Sequence, residues 1–589
     1  MKSILNYLIN ISALYRLSFT FSLSAILLIV IDFGFNQVIF SQQIITVFFF
    51  IVISLNFTNA IVRYFTEKKP LRFKIILFDI ITLSVITLAI LTFFPIGKTN
   101  IVLNYFHYKD WIRLGIFLVF IKEVTLLKFS FKNINVNPAQ LFIFSFFSVI
   151  IIGALLLMLP NATYTGISFV DALFTSTSAV CVTGLIVVDT ATYFTHLGQT
   201  IIMVLIQIGG LGIITFVTYF SYFFKGGTSY KNQLVLSDLS NVERIGEVFS
   251  LLKKVLFITF LIEFFGAVLI FNFIESAYFP SFYDKFYFSM FHSISAFCNA
   301  GFSTLTNGLY DNGLRFNYIF QSVIILIFVI GGLGFPIVVN LLKYLKSTFK
   351  HNLLRLFNIT SNKKPWVLTL NSRITLITTF SLTIIGSILF YFIEYNNTLV
   401  DHQGIGKVVT AIFSATTPRT AGFNSINMLD LSTATVLIII FLMWVGASPA
   451  STGGGIKTST FAIATLNFIS IARGKTRIEI FRREISEQSV RRAFATISLS
   501  LIIIGVGILF VSIFDNDKSL ESIAFECFSA FSTVGLSLGI TSNLSVYSKI
   551  VIIFIMFIGR VSLLSILIAF IGKEKYKNYR YPNEEIIIN

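Results

Sequence analysis

Thr175 to Val187 reads TSTSAVCVTGLIV, and the same arrangement returns as HSISAFCNAGFST (His292 to Thr304), FSATTPRTAGFNS (Phe413 to Ser425) and CFSAFSTVGLSLG (Cys527 to Gly539). Each is a short apolar or hydroxyl-rich segment followed by glycine. About a dozen residues is too short to cross a bilayer as a helix and fits a re-entrant one. The glycines, Gly184, Gly301, Gly422 and Gly535, stand 117, 121 and 113 residues apart. So constant a period, with a long apolar run on either side of every segment, marks a fourfold internal repeat.

The surrounding chain supports a membrane setting. Of its 589 residues 55% are hydrophobic and only 12% charged, with 68 Phe and a mean hydropathy of +0.85. A water-facing surface usually needs roughly a quarter of its residues charged, so this composition excludes an ordinary soluble protein. Disorder is excluded by the same numbers. Apolar runs long enough to span lie near 18–40, 43–61, 75–95, 112–128, 138–159, 199–224, 251–274, 317–342, 372–393, 433–470, 493–514 and 547–571, about twelve in all. The first run follows Arg16 without a small-residue cleavage site, so a retained N-terminus is expected.

Charge sets the orientation. Segments 225–254, 343–373, 473–492 and 573–589 hold 23 Lys and Arg, against 5 in 160–200, 276–315, 394–432 and 515–546. The basic set is therefore expected inside, with both termini cytoplasmic and the chain multi-pass in the inner (plasma) membrane. The net charge of +17 then calls for no nucleic acid; basic loops suit anionic membrane lipids or the acidic face of a partner.

Each glycine lies in a polar turn outside the long spans, where close helix packing gives no reason for it. Glycine permits φ > 0, which lets successive carbonyls turn toward one axis. Non-helical backbone at membrane depth is tolerated where it lines a water-filled path. Four such turns would offer carbonyl oxygens to replace an ion's hydration shell, with four short helices pointing their negative ends at it. No ring of Asp or Glu accompanies them, the nearest acid being Glu526, so a monovalent cation is expected rather than a divalent one.

The stretches TSAVCVTGL, FCNAGF, TPRTAGF and STVGLS, in that order across roughly 138–572, resemble the Trk/Ktr/HKT superfamily of potassium transporters, most closely its KtrB-like bacterial branch. The resemblance implies an all-α polytopic membrane protein: four repeats of helix, re-entrant pore loop and helix around one pore, plus about four extra N-terminal helices. It implies a potassium filter of Val182, Thr183, Gly184; Asn299, Ala300, Gly301; Thr420, Ala421, Gly422; and Thr533, Val534, Gly535. Glycine at all four positions goes with potassium in that family, and serine in the first repeat with sodium. The expected units are 1–137 (extra helices), 138–224, 251–345, 371–472 and 493–572 (repeats one to four), and 573–589 (cytoplasmic tail). The resemblance also implies a homodimer on a cytosolic, nucleotide-binding regulatory ring of the KtrA/TrkA kind. Sodium as a coupling or activating ion stays open, as does a sodium or mixed-cation transporter of the same architecture.

The span after the third segment is interrupted by GASPASTGGGIKTST, Gly446 to Thr460. Pro449 and the run Gly453, Gly454, Gly455 would break a helix, and Lys457 places a charge there. A nucleotide-binding loop is excluded, because Lys457 follows Ile456 and no strand precedes it. The resemblance implies an intramembrane gate including Gly446 and Ser448, toward which Arg560 projects from the last inner helix; Val561 and Ser562 depart from the small pair containing glycine that commonly follows. Ser448, Ser451 and Thr452 are expected to satisfy backbone groups freed by the break.

Residues 1–137 lie outside the repeat, and Val62 to Val85 bears a weak likeness to part of a voltage-sensor bundle. Arg113, Lys122 and Lys128 share one helical phase with mostly apolar slots between, which favours a structural or lipid-contact role. Cys181, Cys298 and Cys527 form no disulfide framework or metal pattern and are expected to be buried thiols behind the filter. A polytopic membrane enzyme would need paired acids or histidines within spans, and Glu263 and Asp79 stand alone in the sequence. A packing scaffold leaves the in-phase glycines unexplained.

Overall fold

The computed structural model describes residues 11–35, 42–66, 73–93, 108–126, 138–211, 248–357, 368–561 and 566–567. The 573–589 tail, Lys128 and most of the basic 225–254 segment lie outside them.

Four units of outer helix, short helix and inner helix follow one another. The first is α5 (Pro138–Leu157), α6 (Phe169–Val180) and α7 (His196–Gly210). The second is α8 (Val248–Phe273), α9 (Phe282–Cys298) and α10 (Tyr318–Leu333), which continues into α11 (Phe335–Leu356). The third is α12 (Leu370–Glu394), α13 (Ile405–Thr416), α14 (Thr433–Trp444) and α15 (Thr458–Ala472). A small hairpin, β1 (Glu479–Ile480) with β2 (Arg483–Glu484), precedes the fourth: α16 (Glu487–Phe514), α17 (Leu520–Ser532) and α18 (Val546–Val561).

The units close on themselves. Inner helix α7 packs on short helix α9, α10 on α13, α14 on α17, and α18 back on α6. Short helices α6 and α9 begin with a serine cap, Ser168 and Ser281, whose hydroxyl accepts from the N–H of Asp171 and Asp284 at 3.2 Å each, which starts a helix where the chain re-enters. Asp171 also pairs with Lys549 of α18 at 2.7 Å, tying unit one to unit four. The core beneath is phenylalanine-rich, with Phe174, Phe291, Phe297, Phe320 and Phe413 wholly buried. Phe257, Phe264, Phe392, Ile502 and Phe554 lie exposed on the outside, as a lipid-facing surface requires.

Four described helical stretches are long and apolar enough to cross a membrane unbroken: Leu17–Gly34, Lys254–Phe273, Leu370–Glu394 and Glu487–Phe514. The run expected as one span at 317–342 is instead bent by 107° between α10 and α11. Gly334, with φ +82°, makes the corner, and a Cβ there would strike the Pro449 carbonyl oxygen of the third unit. Pro336 starts the new helix, where its missing N–H costs nothing.

The N-terminal helices α1 (Ile11–Gly34), α2 (Gln42–Thr66), α3 (Phe73–Phe93) and α4 (Tyr108–Leu126) pack round Ala25, Phe49, Val52, Ile112 and Ile116. They touch unit one where Gly34 meets Leu159 and Asn161 Nδ2 donates to Phe33 O at 2.9 Å. Arg113 is ion-paired with Asp32 of α1 and lies 4.3 Å over the Phe33 ring, so this cation of the expected phase is held by a partner helix.

Candidate functional site

The four expected segments converge. A Cβ built on Gly184 would collide with the Ala300 carbonyl oxygen, one on Gly422 with Val534 O and one on Gly535 with Thr183 O, while one on Gly301 would press tightly on Gly422 Cα and Ala421 O. Each glycine thus abuts the turn of the next unit, and the fourth abuts the first. No side chain fits in this closed ring, which is a steric reason for glycine beyond its φ of +70° to +93°.

Two residues before each glycine the backbone is left-handed again, and here the residue is not glycine: Val182 (φ 58°), Asn299 (60°), Thr420 (80°) and Thr533 (50°). Such conformations cost on the order of 1–3 kcal/mol each and persist where the surroundings over-determine them. The surroundings do. The N–H of Thr183, Ala300, Ala421 and Val534 donates to the carbonyl of Ser178, Ser295, Thr417 and Ser529 at 2.7–2.9 Å. The hydroxyls of these same four residues also hold the turns: Ser178 and Ser529 accept from Gly184 N and Gly535 N at 3.0 Å, while Ser295 and Thr417 donate to Phe302 O and Phe423 O at 2.8 and 2.7 Å. The sequence reading missed these anchors, although a serine stands six residues before three of the glycines.

The repeats differ in detail. Asn299 sits best with its amide oxygen accepting from Thr420 Oγ1 at 3.1 Å and its nitrogen donating to Phe328 O at 3.0 Å and Ala296 O at 2.9 Å. Cys181, Cys298 and Cys527 are free and buried.

All four glycines form the floor of one cavity of about 390 Å³, walled by Ser303, Asn307, Asn424, Asn427 and Ser537. Asp189 is the acid among its lining residues. Burial pushes its carboxyl above the usual range, and the N–H of Ala191, donating at 2.7 Å, pulls the other way.

The broken span lies against the other face of the ring. Gly454 N donates to Thr533 Oγ1 at 2.9 Å, and Gly453 abuts the Thr420 side chain. Gly446 packs on Gly454 and Gly455, closing the loop between Val445 and Ile456. Lys457 Nζ donates to Gly453 O at 2.6 Å, and Ser448 N to Gly332 O at 3.0 Å. Pro449 and Ala450 lie at the Gly334 corner. Arg560, buried on α18, donates to Thr452 O and to Gly209 O of α7, joining the loop to two inner helices. Of the hydroxyls expected to satisfy the break, Ser451 donates to Ser448 O within the loop at 2.6 Å, whereas Thr452 donates to Phe297 O of α9 at 3.4 Å and so serves the second unit. The Ser448 hydroxyl is buried with no partner among the described residues, a correction to that expectation.

Inner-helix glycines are a second feature that sequence reading passed over. A Cβ on Gly209, Gly331 or Gly559 would strike the carbonyl of Val180, Phe297 or Phe531, at the ends of short helices α6, α9 and α17. The intramembrane acids are separated: Glu263 accepts from Gln207 at 3.1 Å and Asp79 from Tyr64 at 3.1 Å.

Comparison with known proteins agrees with this fold. The TrkH family, described as a cation transport protein, matches residues 107–580. The chain is 37% identical over 459 residues to the Ktr system potassium uptake protein B of Bacillus subtilis, covering 77% of this chain and 97% of that one. It is 36% identical to the potassium/sodium uptake protein NtpJ of Enterococcus hirae, covering 77% and 98%. The crystal structure of the potassium transporter TrkH from Vibrio parahaemolyticus shares the fold, with a TM-score of 0.60 at 15% identity, over 85% of this chain and 97% of that one. A ring of four glycine turns, four helical units closed around it and a family match over most of the length lead to one assignment: the chain belongs to the TrkH family of cation transport proteins.

Proposed function

We propose that this protein takes up potassium across the cell membrane, with the four turns as its selectivity filter and the 446–457 loop as its gate. The observation that carries the reading is the closed ring in which every glycine is pressed against a carbonyl of the next unit. Backbone oxygens so placed exchange for the water around a monovalent cation, and the strained, hydrogen-bonded turns keep their spacing. The filter set is Val182 to Gly184, Asn299 to Gly301, Thr420 to Gly422 and Thr533 to Gly535. Ions enter from the 390 Å³ cavity and are stopped beyond the ring by the loop that Arg560 ties down.

The units run 138–224, 251–345, 371–472 and 493–572, with 1–137 as an added bundle. Both termini face the cytoplasm. The exposed arginines of 473–492 and the other basic loops suit a cytosolic nucleotide-binding ring beneath a homodimer. A mixed potassium and sodium activity is the second reading, favoured by the name of the Enterococcus hirae relative.

The test is growth of a potassium-uptake-deficient cell expressing the chain, at graded potassium. Rescue at limiting potassium is expected. No rescue by a protein that reaches the membrane would overturn the reading, and rescue that follows sodium would favour the second.

A further inference from the structure

The four turns are of two kinds, and the difference falls on a diagonal of the ring. Three residues before the anchoring hydroxyls stand Thr175, His292, Ser414 and Glu526, all buried. Thr175 donates to Asp171 O of its own helix at 2.9 Å, and the Ser414 hydroxyl has no partner among the described residues. His292 and Glu526 reach forward instead. His292 Nε2 lies 2.9 Å from Ser303 Oγ, and Glu526 Oε1 accepts from the Ser537 hydroxyl. Ser303 and Ser537 each stand two residues after the ring glycine. The same serine oxygen then closes the next turn, accepting from Leu305 N at 3.1 Å in unit two and from Gly539 N at 2.9 Å in unit four. Units one and three carry Ile186 and Asn424 in that place, and Asn424 donates to Asn307 O at 3.1 Å.

Both tethers are fixed from behind. His292 Nδ1 lies 3.0 Å from Phe288 O, which can only accept, so in the neutral ring Nε2 is left to accept from Ser303. The imidazole stacks on Phe288 with centroids 3.9 Å apart. Thr541 Oγ1 lies 2.8 Å from the same Glu526 oxygen that Ser537 holds. Both serines line the outer cavity, while His292 and Glu526 are fully buried. Because Gly301 abuts Gly422 and Gly535 abuts Gly184, units two and four face each other across the ring.

We propose that His292 and Glu526 are positioning residues that brace the outer mouth of the ring along one diagonal, holding the turns after Gly301 and Gly535 at the spacing that tells monovalent cations apart. The proposal rests on the filter reading. Neither side chain touches the ion; each acts through its serine. A left-handed turn freed of its tether relaxes, and a ring of looser carbonyls discriminates less between potassium and the smaller sodium ion.

The experiment is rubidium uptake by the full chain in liposomes, with potassium and sodium as competitors, and with melting temperature measured on each variant. Glu526→Ala and His292→Ala should each lower the preference for potassium over sodium by roughly tenfold, the scale of one buried hydrogen bond. Glu526→Gln and His292→Gln, which keep an acceptor in place, should restore most of it. Glu526→Ala with Ser537→Ala should be no worse than either alone. Should the alanine variants fail to fold, Ser303→Ala and Ser537→Ala must show the same loss of preference for the proposal to stand. A selective wild type whose folded variants keep its preference would overturn the brace alone; a wild type that takes up no cation would overturn the filter reading and the brace with it.

Discussion

Gly454 N–H donates to Thr533 Oγ1 at 2.9 Å, so the loop that breaks the third unit is hydrogen-bonded to the left-handed residue of the fourth unit's turn. Further links to the loop come from Arg560 to Thr452 O and from Phe335 N to Ala450 O. In the gate reading proposed above, a barrier held by these bonds and by those from Ser448 N to Gly332 O and Thr452 Oγ1 to Phe297 O opens for a few kcal/mol.

Deleting Ala450 to Gly455 should therefore raise ion flux, by roughly tenfold for each 1.4 kcal/mol of closed-state preference removed. Arg560→Ala should act the same way but more weakly, because the loop remains. Flux from purified protein in liposomes, with and without the proposed cytosolic regulator, measures both. Lower flux from a folded deletion variant would make the segment part of the conducting path.

Gly184→Ser should lower the preference for potassium over sodium. The new Cβ would meet Ala300 O of the second unit and would sit at φ +91°, so the turn must shift at one quarter of the ring. Parallel rubidium and sodium uptake reads the change, and a shift of roughly tenfold corresponds to strain of order 1 kcal/mol delivered to one site. An unchanged ratio would remove Gly184 from the filter.

The four turns were legible because glycine at a near-constant period has few explanations outside packed helices, and Pro449 with three glycines announces a broken span. The corner at Gly334 was passed over, although Gly331, Gly332, Gly334 and Pro336 carry the same kind of signature within an apolar run; in the structure Gly334 turns where it meets the Pro449 carbonyl. His292 and Glu526 were hidden. Histidine and glutamate share no chemistry in sequence, and they match only once Ser303 and Ser537 are seen to hold equivalent places.

Gly331→Ala should cost stability before it costs selectivity. Its Cβ would strike Phe297 O at the end of short helix α9, where neither backbone can yield alone. Overpacking of this sort costs typically 1–3 kcal/mol, so a clear fall in melting temperature in detergent is expected. Gly505, with nothing within 4 Å of its Cβ, is the control: Gly505→Ala should leave the melting temperature unchanged or slightly raised. Equal effects at the two sites would refute the close approach.

Mild acid should destabilise the protein through His402, which lies buried in the loop between α12 and α13. Burial, and next the charge of Arg315, hold its imidazole below the ordinary value of 6.5; Lys407 pushes the same way and Asp401 against it. Its Nδ1 lies 3.1 Å from Tyr318 Oη and 3.5 Å from Thr410 Oγ1, and Nε2 is buried without a partner among the described residues. A lowered folded value means that the unfolded chain takes up the proton first. Stability from the neutral ring is then full above pH 6.5 and is lost as the pH falls from 6.5 through the lowered folded value. Melting temperature recorded from pH 7.5 down to 5 should fall for the wild type and fall less for His402→Gln, which keeps a polar contact to Tyr318 without taking a proton. Parallel curves for the two proteins would show that His402 keeps its ordinary value in the folded state, and that acid acts elsewhere.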